Sequence, residues 1–403
     1  MQAVIEPDPR QLVCTAKQAD QVIGYVVIDS TIQGRARGGL RMLPDIDEAE
    51  IRGLAHAMTL KYGFIGLAEG GAKAGLRGDP EVSPEERRRQ LVEFGRAIAP
   101  LLYSRAYIPG ADMGTTPEDI RHMLQTVGVQ IKKRQLRPTQ SGYHTALTVC
   151  TGVKQAARLC KLNLAESSVA IEGFGKVGSE LARLLAQVNA RIVAISTSRG
   201  ALYNPRGLDV ERLRQFAAES DSRVVERYPD AERIDRAALL ELPVDVLCPC
   251  ARHNSIHAGN ASRIAARIIS PGANNPVTPE AERILFERDV LCLPDFVTNC
   301  GGVLGGALEF ASLPQEQIAA FMDRRIGARI AWLLDESQRR GTPPRPIAEA
   351  FARERLGQMR QRIKQPSPIG RLIEMGLRAY RRGWIPGPLV AALALPYFEK
   401  TLA

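Results

Sequence analysis

The sequence predicts an α/β fold in two domains, followed by a C-terminal helical segment. Three observations carry this. The chain has 403 residues, too many for one ordinary hydrophobic core. Its second half alternates short β-branched runs with stretches of helical spacing, the pattern of a parallel, doubly wound sheet. A glycine-rich turn, Gly173-Phe174-Gly175-Lys176-Val177-Gly178, stands between such a run and a helix. The expected boundaries are an N-terminal α/β domain over 1–138, a Rossmann-type domain over 139–344, and helices over 345–403 that pack back on the first domain.

Composition narrows the class. Hydrophobic residues make up 45% and charged residues 24%, so the chain is globular and not disordered. No apolar run is long enough for a membrane span, and the N-terminus lacks a basic, then apolar, leader. Seven scattered cysteines, with no CxxC, read as reduced thiols in a cytoplasm. Cys248-Pro249-Cys250 reads as small core packing more than as a redox or metal pair. Five histidines show no metal-ligand spacing, so no metal is expected. The net charge of +10 comes mostly from Arg spread along helices, which reads as a solvated basic surface. The alternative, an anionic or nucleic-acid surface built on Arg353, Arg355, Arg360, Arg362, Arg371, Arg378, Arg381 and Arg382, lacks aromatic interleaving beyond Tyr380 and Trp384.

In chain order, Val22 to Asp29 is rich in β-branched residues and belongs to a β hairpin, with Gly34 and Gly38-Gly39 after it. Ile51, Leu54, Ala55 and Met58 have helical spacing from Asp47 to about Leu67, which puts Lys61 near a helix end. A glycine-rich loop follows, Glu69-Gly70-Gly71-Ala72-Lys73-Ala74-Gly75. Glycine lets a backbone approach a ligand closely. A lysine enclosed there loses water, and the nearby cation of Lys61 opposes its protonation. Both effects lower a lysine's pKa toward the range useful for proton transfer. The plainer reading is a surface lysine on an ordinary loop. Ser83-Pro84-Glu85-Glu86 caps a helix that runs to about Ile98. Ala106 to Thr115 is a strand entering a tight turn, where Asp112 is either an Asx cap or a catalytic carboxylate. Thr116-Pro117-Glu118-Asp119 caps the next helix.

After Thr145-Ala146 comes a long helix through Val149, Val153 and Ala156-Ala157. Ser168 to Glu172 is then a strand, Gly173 to Gly178 a G-x-G-x-x-G turn, Leu181, Leu184 and Leu185 a helix, and Ala190 to Ile195 a second strand. Set in this complete βαβ unit, Gly173, Phe174, Gly175, Lys176, Val177 and Gly178 read as a cradle for a dinucleotide pyrophosphate at a helix N-terminus. The acid that would read a ribose 2′-OH is missing. Thr197 and Arg199 stand there, a pair suited to a 2′-phosphate, so the expected cofactor is NADP or NAD. Strands at Val244–Leu247, Ile268–Ser270 and Val290–Leu293 end in loops that carry Ala251, Asn274 and Asn299 on the cofactor side. Beyond Glu309 the chain is helical and Arg-rich, interrupted at Gly341-Thr342-Pro343-Pro344 and at Pro366-Ser367-Pro368.

From about Gly24 to about Gly341 the chain resembles the glutamate/leucine/phenylalanine/valine dehydrogenase family. The landmarks are Gly38-Gly39-Leu40-Arg41, Met58-Thr59-Leu60-Lys61, Gly70-Gly71-Ala72-Lys73-Ala74-Gly75, Asp79-Pro80, Pro109-Gly110-Ala111-Asp112-Met113-Gly114, Thr145-Ala146, Ile171 through Gly178, Gly272-Ala273-Asn274, and Asn299-Cys300-Gly301-Gly302-Val303. The resemblance implies NAD(P)-dependent oxidative deamination of an L-amino acid to a 2-oxo acid and ammonia. It implies an N-terminal substrate and oligomerisation domain, and hence a homo-oligomer. In the family pattern Lys61 would hold the α-carboxylate, Lys73 would activate the attacking water, and Asp112 would carry protons to and from the amine. Arg37, Gly39, Met58, Val303 and Gly306 would line the substrate, while Thr145, Ala251, Asn274 and Asn299 would join the glycine turn around the cofactor.

The chain departs from the family pattern at four places: Arg37 replaces a lysine of glutamate-specific members, Gly306 a serine, Pro271 an acid before Gly-Ala-Asn, and Thr197 the ribose-reading acid. Arg37 could clamp a substrate carboxylate bidentately, or turn away to Asp45 or Asp47 and leave an apolar pocket. An idle relative that senses a nucleotide or an amino acid is the functional alternative to an active dehydrogenase.

Overall fold

The protein's structure, a computed structural model, describes residues 3–5, 11–18, 20–130, 139–365, 375–380 and 382–402. It divides into two compact units: Met1–Pro138 with Phe351–Ala392, and Thr139–Ala350 with Leu393–Ala403. Pro366-Ser367-Pro368, Arg371 and Arg381 lie outside the described residues.

The first unit holds a six-stranded sheet. Its strands are β1 (Ala3–Ile5), β2 (Leu12–Gln18), β3 (Gln21–Ile28), β4 (Ala36–Leu43), β5 (Gly70–Arg77) and β6 (Tyr107–Ala111), in the order β1-β2-β3-β5-β4-β6. The expected hairpin is the antiparallel pair β2–β3, whereas β4 runs parallel to both β5 and β6. Successive residues of β3 serve opposite faces, as a pleated strand requires. Val26 joins Phe94, Met123 and Leu91 in one core. Val27 joins Ile51, Leu54 and Ala55 in another. The helices follow their caps: α1 (Glu48–Ile65) starts at Asp47 and ends at Gly66 in the left-handed conformation. Then come α2 (Pro84–Ala97) behind Ser83, α3 (Ala99–Tyr103), and α4 (Pro117–Thr126) behind a Thr116–Asp119 capping box.

The glycine run around Lys73 is a strand, not a loop. Glycine and alanine are poor strand formers by propensity, yet β5 is buried from Gly70 to Leu76. Packing supplies the reason. A Cβ on Gly71 would come within 2.3 Å of the Thr59 backbone nitrogen, and one on Gly75 within 2.6 Å of Ile46 and Ile51. The small residues let α1 lie directly on the strand. Gly63 does the same at the other side of α1, where a Cβ would meet the Ala352 carbonyl at 2.2 Å. Phe351 packs edge-on against Phe64 there, at 5.9 Å between ring centroids.

The second unit is built on a seven-stranded sheet. Its strands are β7 (Ser168–Glu172), β8 (Arg191–Thr197), β9 (Gly200–Tyr203), β10 (Glu232–Ile234), β11 (Val246–Pro249), β12 (Ile268–Ile269) and β13 (Leu291–Cys292), in the order β10-β9-β8-β7-β11-β12-β13. From β8 to β13 the neighbours are parallel, as the alternating pattern predicts. The antiparallel edge of β9 and β10 is an addition the sequence reading did not foresee. The order reverses at β7, between β8 and β11, so the crevice beyond its carboxyl end is where such a sheet takes a ligand. α5 (Ser141–Leu159) and α6 (Gly178–Ala186) belong to this unit. All seven cysteines are free thiols, and Cys248 is fully buried in the core.

Candidate active site

In the first unit, β4 lies between β5 and β6 and brings three chemistries together. Its register places Gly39 opposite Gly110 of β6, and between the Arg37–Gly71 and Leu40–Ala74 pairs with β5. Lys73 therefore emerges beside Gly39 from one neighbour, and Asp112 follows Ala111 at the end of the other. The Lys73 ammonium donates to Asp112 Oδ2. Gly39 is a glycine because this pair passes over it: a Cβ there would sit 2.6 Å from Asp112 Oδ2. Gly38 has a different reason, since its Cβ would fall 1.6 Å from the Ala72 carbonyl oxygen.

Asp112 is not a helix cap. Thr116 caps α4, and Asp112 Oδ1 accepts from the Met113 amide at 2.6 Å. The turn is pinned by Thr115, whose hydroxyl accepts from the Asp112 amide at 3.0 Å and donates to the Leu40 carbonyl at 2.9 Å. Arg41 completes the cluster. Its Nε donates to Asp112 Oδ1 at 3.3 Å and its Nη1 to Glu50 Oε1 at 2.6 Å.

Lys73 is only 2% exposed. Burial pushes its proton affinity down and Arg41 adds to that, while Asp112 opposes them; the net shift is downward. Burial alone would raise the Asp112 carboxyl, but Lys73 and Arg41 outweigh it and hold the group well below the usual carboxylate range. The cation acting on Lys73 alongside burial is thus Arg41, a part the sequence reading gave to Lys61. Lys61 and Met58 are buried on α1, close in sequence to the Thr59–Gly71 contact. The Arg37 side chain is 44% exposed and lies 3.8 Å from Glu69 Oε1, while Asp47 is engaged in capping α1.

In the second unit the glycine turn has the shape its motif requires. Gly173 has φ +92°, and a Cβ there would meet the Ala251 backbone at 3.0 Å. A Cβ on Gly178 would fall 1.8 Å from the Gly173 carbonyl, whereas Gly175 faces open space. The amides of Gly173 and Phe174 are taken by Ser196. Among the described residues, the amides of Gly175, Lys176 and Val177 have no partner. Free donors at the start of α6 suit a pyrophosphate, so the residues present fit a dinucleotide. Asn299 donates to the Ala273 carbonyl at 2.8 Å and to Asn274 Oδ1 at 2.9 Å, leaving its own Oδ1 buried and unpartnered. Thr145 donates to the Ser141 carbonyl and lies against Gly302. Val303 and Gly306 are on the helix Gly301–Phe310, and Gly306 is surrounded by open space.

Thr197 and Arg199 form the β8–β9 hairpin, where Thr197 pairs with Gly200. The Thr197 hydroxyl donates to the Ser222 carbonyl at 2.7 Å and accepts from the Arg199 amide at 3.1 Å. Its proton is therefore committed, while Arg199 is exposed at the turn. Among the described residues no helix is long and apolar enough to cross a membrane, and no acid, His and Cys group is placed to hold a metal.

Two family profiles match the chain: "Glutamate/Leucine/Phenylalanine/Valine dehydrogenase" over residues 139–361, and "Glu/Leu/Phe/Val dehydrogenase, dimerisation domain" over residues 10–128. A glutamate dehydrogenase of Thermotoga maritima is 38% identical over 293 residues, 70% of each chain. An NAD-specific glutamate dehydrogenase of Staphylococcus aureus is 33% identical over 335 residues, 79% of this chain and 80% of that protein. Among solved structures, the hetero-hexameric glutamate dehydrogenase of Thermus thermophilus, in its leucine-bound form, superposes with a TM-score of 0.74 at 25% identity. That match covers 91% of this chain and 94% of the other. By these matches the chain belongs to the glutamate/leucine/phenylalanine/valine dehydrogenase family and is an NAD(P)-dependent amino-acid dehydrogenase.

Proposed function

We propose that the chain deaminates L-glutamate, or a related amino acid with a polar or acidic side chain, to its 2-oxo acid and ammonia, with Lys73 and Asp112 as the proton-handling pair. The observation that carries this is the buried Lys73–Asp112 contact over Gly39. NAD(P), when bound, supplies the acceptor for the hydride that leaves the substrate Cα. The chain's residues do the rest. Lys61 holds the substrate α-carboxylate. Asp112, kept ionised by its two cations, takes a proton from the substrate ammonium. Lys73, whose burial weakens its hold on a proton, gives up its own and in the neutral form accepts one from the water that adds to the imino carbon. Asp112 then returns its proton to the carbinolamine nitrogen, and as the C–N bond breaks and C=O forms, the carbinol O–H proton leaves with the ammonia as ammonium.

The relatives named glutamate dehydrogenase support an acidic substrate. Arg37 can clamp its distal carboxylate, because the side chain is half open and its contact with Glu69 is loose. The dimerisation profile and the hetero-hexameric neighbour support an oligomer, and the reduced thiols a cytoplasmic setting.

The test is a panel of amino acids with NAD and NADP, followed by reduced-nicotinamide absorbance. L-Glutamate or a close analogue should lead. Lys73→Ala and Asp112→Asn should each lower turnover by about 10²–10⁴-fold with cofactor affinity unchanged. Near wild-type turnover in either variant sinks the assignment.

A further inference from the structure

We propose that Arg41, anchored by Glu50, is a positioning residue for this reaction: it takes Asp112 Oδ1, so that Oδ2 alone faces Lys73. The inference rests on the reading of Lys73 and Asp112 as the proton-handling pair, and it assigns work to two residues that touch neither substrate nor cofactor in that reading.

The geometry is a relay across three elements. Asp47 caps α1 and accepts from the Glu50 amide at 2.7 Å, which fixes Glu50 in the first turn. Glu50 Oε1 takes Arg41 Nη1 at 2.6 Å, and Arg41 Nε reaches Asp112 Oδ1 at 3.3 Å. The Arg41 and Glu50 side chains are 4% and 2% exposed, so the pair lies inside the protein and not on its rim. A buried guanidinium is costly unless it is paired, and here both of its partners belong to the site or to its scaffold.

Charge counting shows what the relay does. Two cations, Lys73 and Arg41, meet two anions, Asp112 and Glu50, so the buried cluster is neutral. The groups facing Asp112 are Lys73 from β5, Arg41 from β4 with Glu50 of α1 behind it, and the buried Tyr107 of β6. Removing Arg41 takes a cation from both reactive groups, so each then holds its proton more tightly. Removing the Glu50 charge has the opposite sign. A scaffold role alone predicts neither displacement, because lost packing lowers activity at every pH without moving the pKa values that govern it.

The experiment is the pH profile of kcat/KM with L-glutamate for the full-length wild type, Arg41→Gln and Glu50→Gln. Both limbs should move to higher pH in Arg41→Gln, by about one unit, and to lower pH in Glu50→Gln. In Arg41→Lys, which keeps the charge without the forked geometry, the limbs should stay near wild type while kcat falls. If either single variant fails to fold, the double variant Arg41→Gln/Glu50→Gln buries no unpaired charge. It should fold, with limbs near wild type and a kcat reduced at least tenfold. Unmoved limbs in the single variants, or wild-type kcat in the double, overturn the positioning role. Asp112→Asn in the same assay separates the two claims. If it keeps turnover, the proton-pair reading itself has failed. If it is inactive while the Arg41→Gln limbs stay put, only the positioning role has failed.

Discussion

At the scale of single residues, the site is defined as much by what is missing as by what is present. Lys73 and Asp112 meet because position 39 carries no Cβ. Alanine there would put a methyl carbon 2.6 Å from Asp112 Oδ2 and 2.9 Å from its Cβ, well inside contact distance. The carboxylate would have to rotate or withdraw, and reacting groups displaced by about 1 Å lose on the order of 10²-fold in rate. Gly39→Ala should therefore lose at least that much kcat while the far-ultraviolet circular dichroism stays native; wild-type kcat would show that the carboxylate has room to spare. Lys73, Asp112 and Gly39 were legible in the sequence through their spacing and family landmarks. Arg41 stands in one of those landmarks with no role attached, and Glu50 stands in none. They are nine residues apart on a strand and a helix, and no local pattern announces that a tertiary turn will pair them.

At the scale of elements, legibility followed the strength of local signals. Capped helices and the β7–turn–α6–β8 unit were readable because their residues specify backbone geometry directly. β5 was misread as a loop because its glycines answer to α1 lying on top of it, which is a packing fact. The β9–β10 edge was missed because two short strands carry too little alternation to stand out. The βαβ unit also contains a titrating group. Glu172 ends β7 directly before Gly173, and its Oε2 has no partner among the described residues. Burial pushes its carboxyl up to about 7, against the pull of Ser255 and Arg236. Above that pH an anion stands beside the turn that would take the pyrophosphate. NAD affinity, measured by calorimetric titration, should fall as pH rises through 7, and Glu172→Gln should flatten that dependence. The sign for stability follows from the same shift. Between 4.5 and about 7 the folded chain keeps a proton that the unfolded chain releases, so stability falls as pH rises across that window. An unchanged pH slope of affinity in Glu172→Gln would clear the carboxyl of any part in cofactor binding.

At the scale of the whole molecule, the chain's last residues close on the second unit's long helix, Gln315–Arg340. Two kinds of contact hold them. Glu399 receives both Arg324 and Arg325, and the Leu402 carbonyl accepts from Arg329. Phe398 is buried edge-on against Phe321, at 6.4 Å between centroids. Magnitudes decide between them. Arg324 lies largely in water, where an ion pair gains little net energy and salt screens it. Truncating a buried phenylalanine costs about 3–5 kcal/mol when the cavity cannot collapse. That corresponds to a fall of roughly 2–4 °C in Tm per kcal/mol for a unit of this size. Phe398→Ala should therefore lower the thermal transition of the second unit by several degrees at any ionic strength. Glu399→Gln should lower it by a fraction of that at low salt, and by almost nothing in molar salt. Equal losses from the two variants, or a Phe398→Ala loss that salt abolishes, would mean that the arginine cluster and not the aromatic contact holds the tail in place.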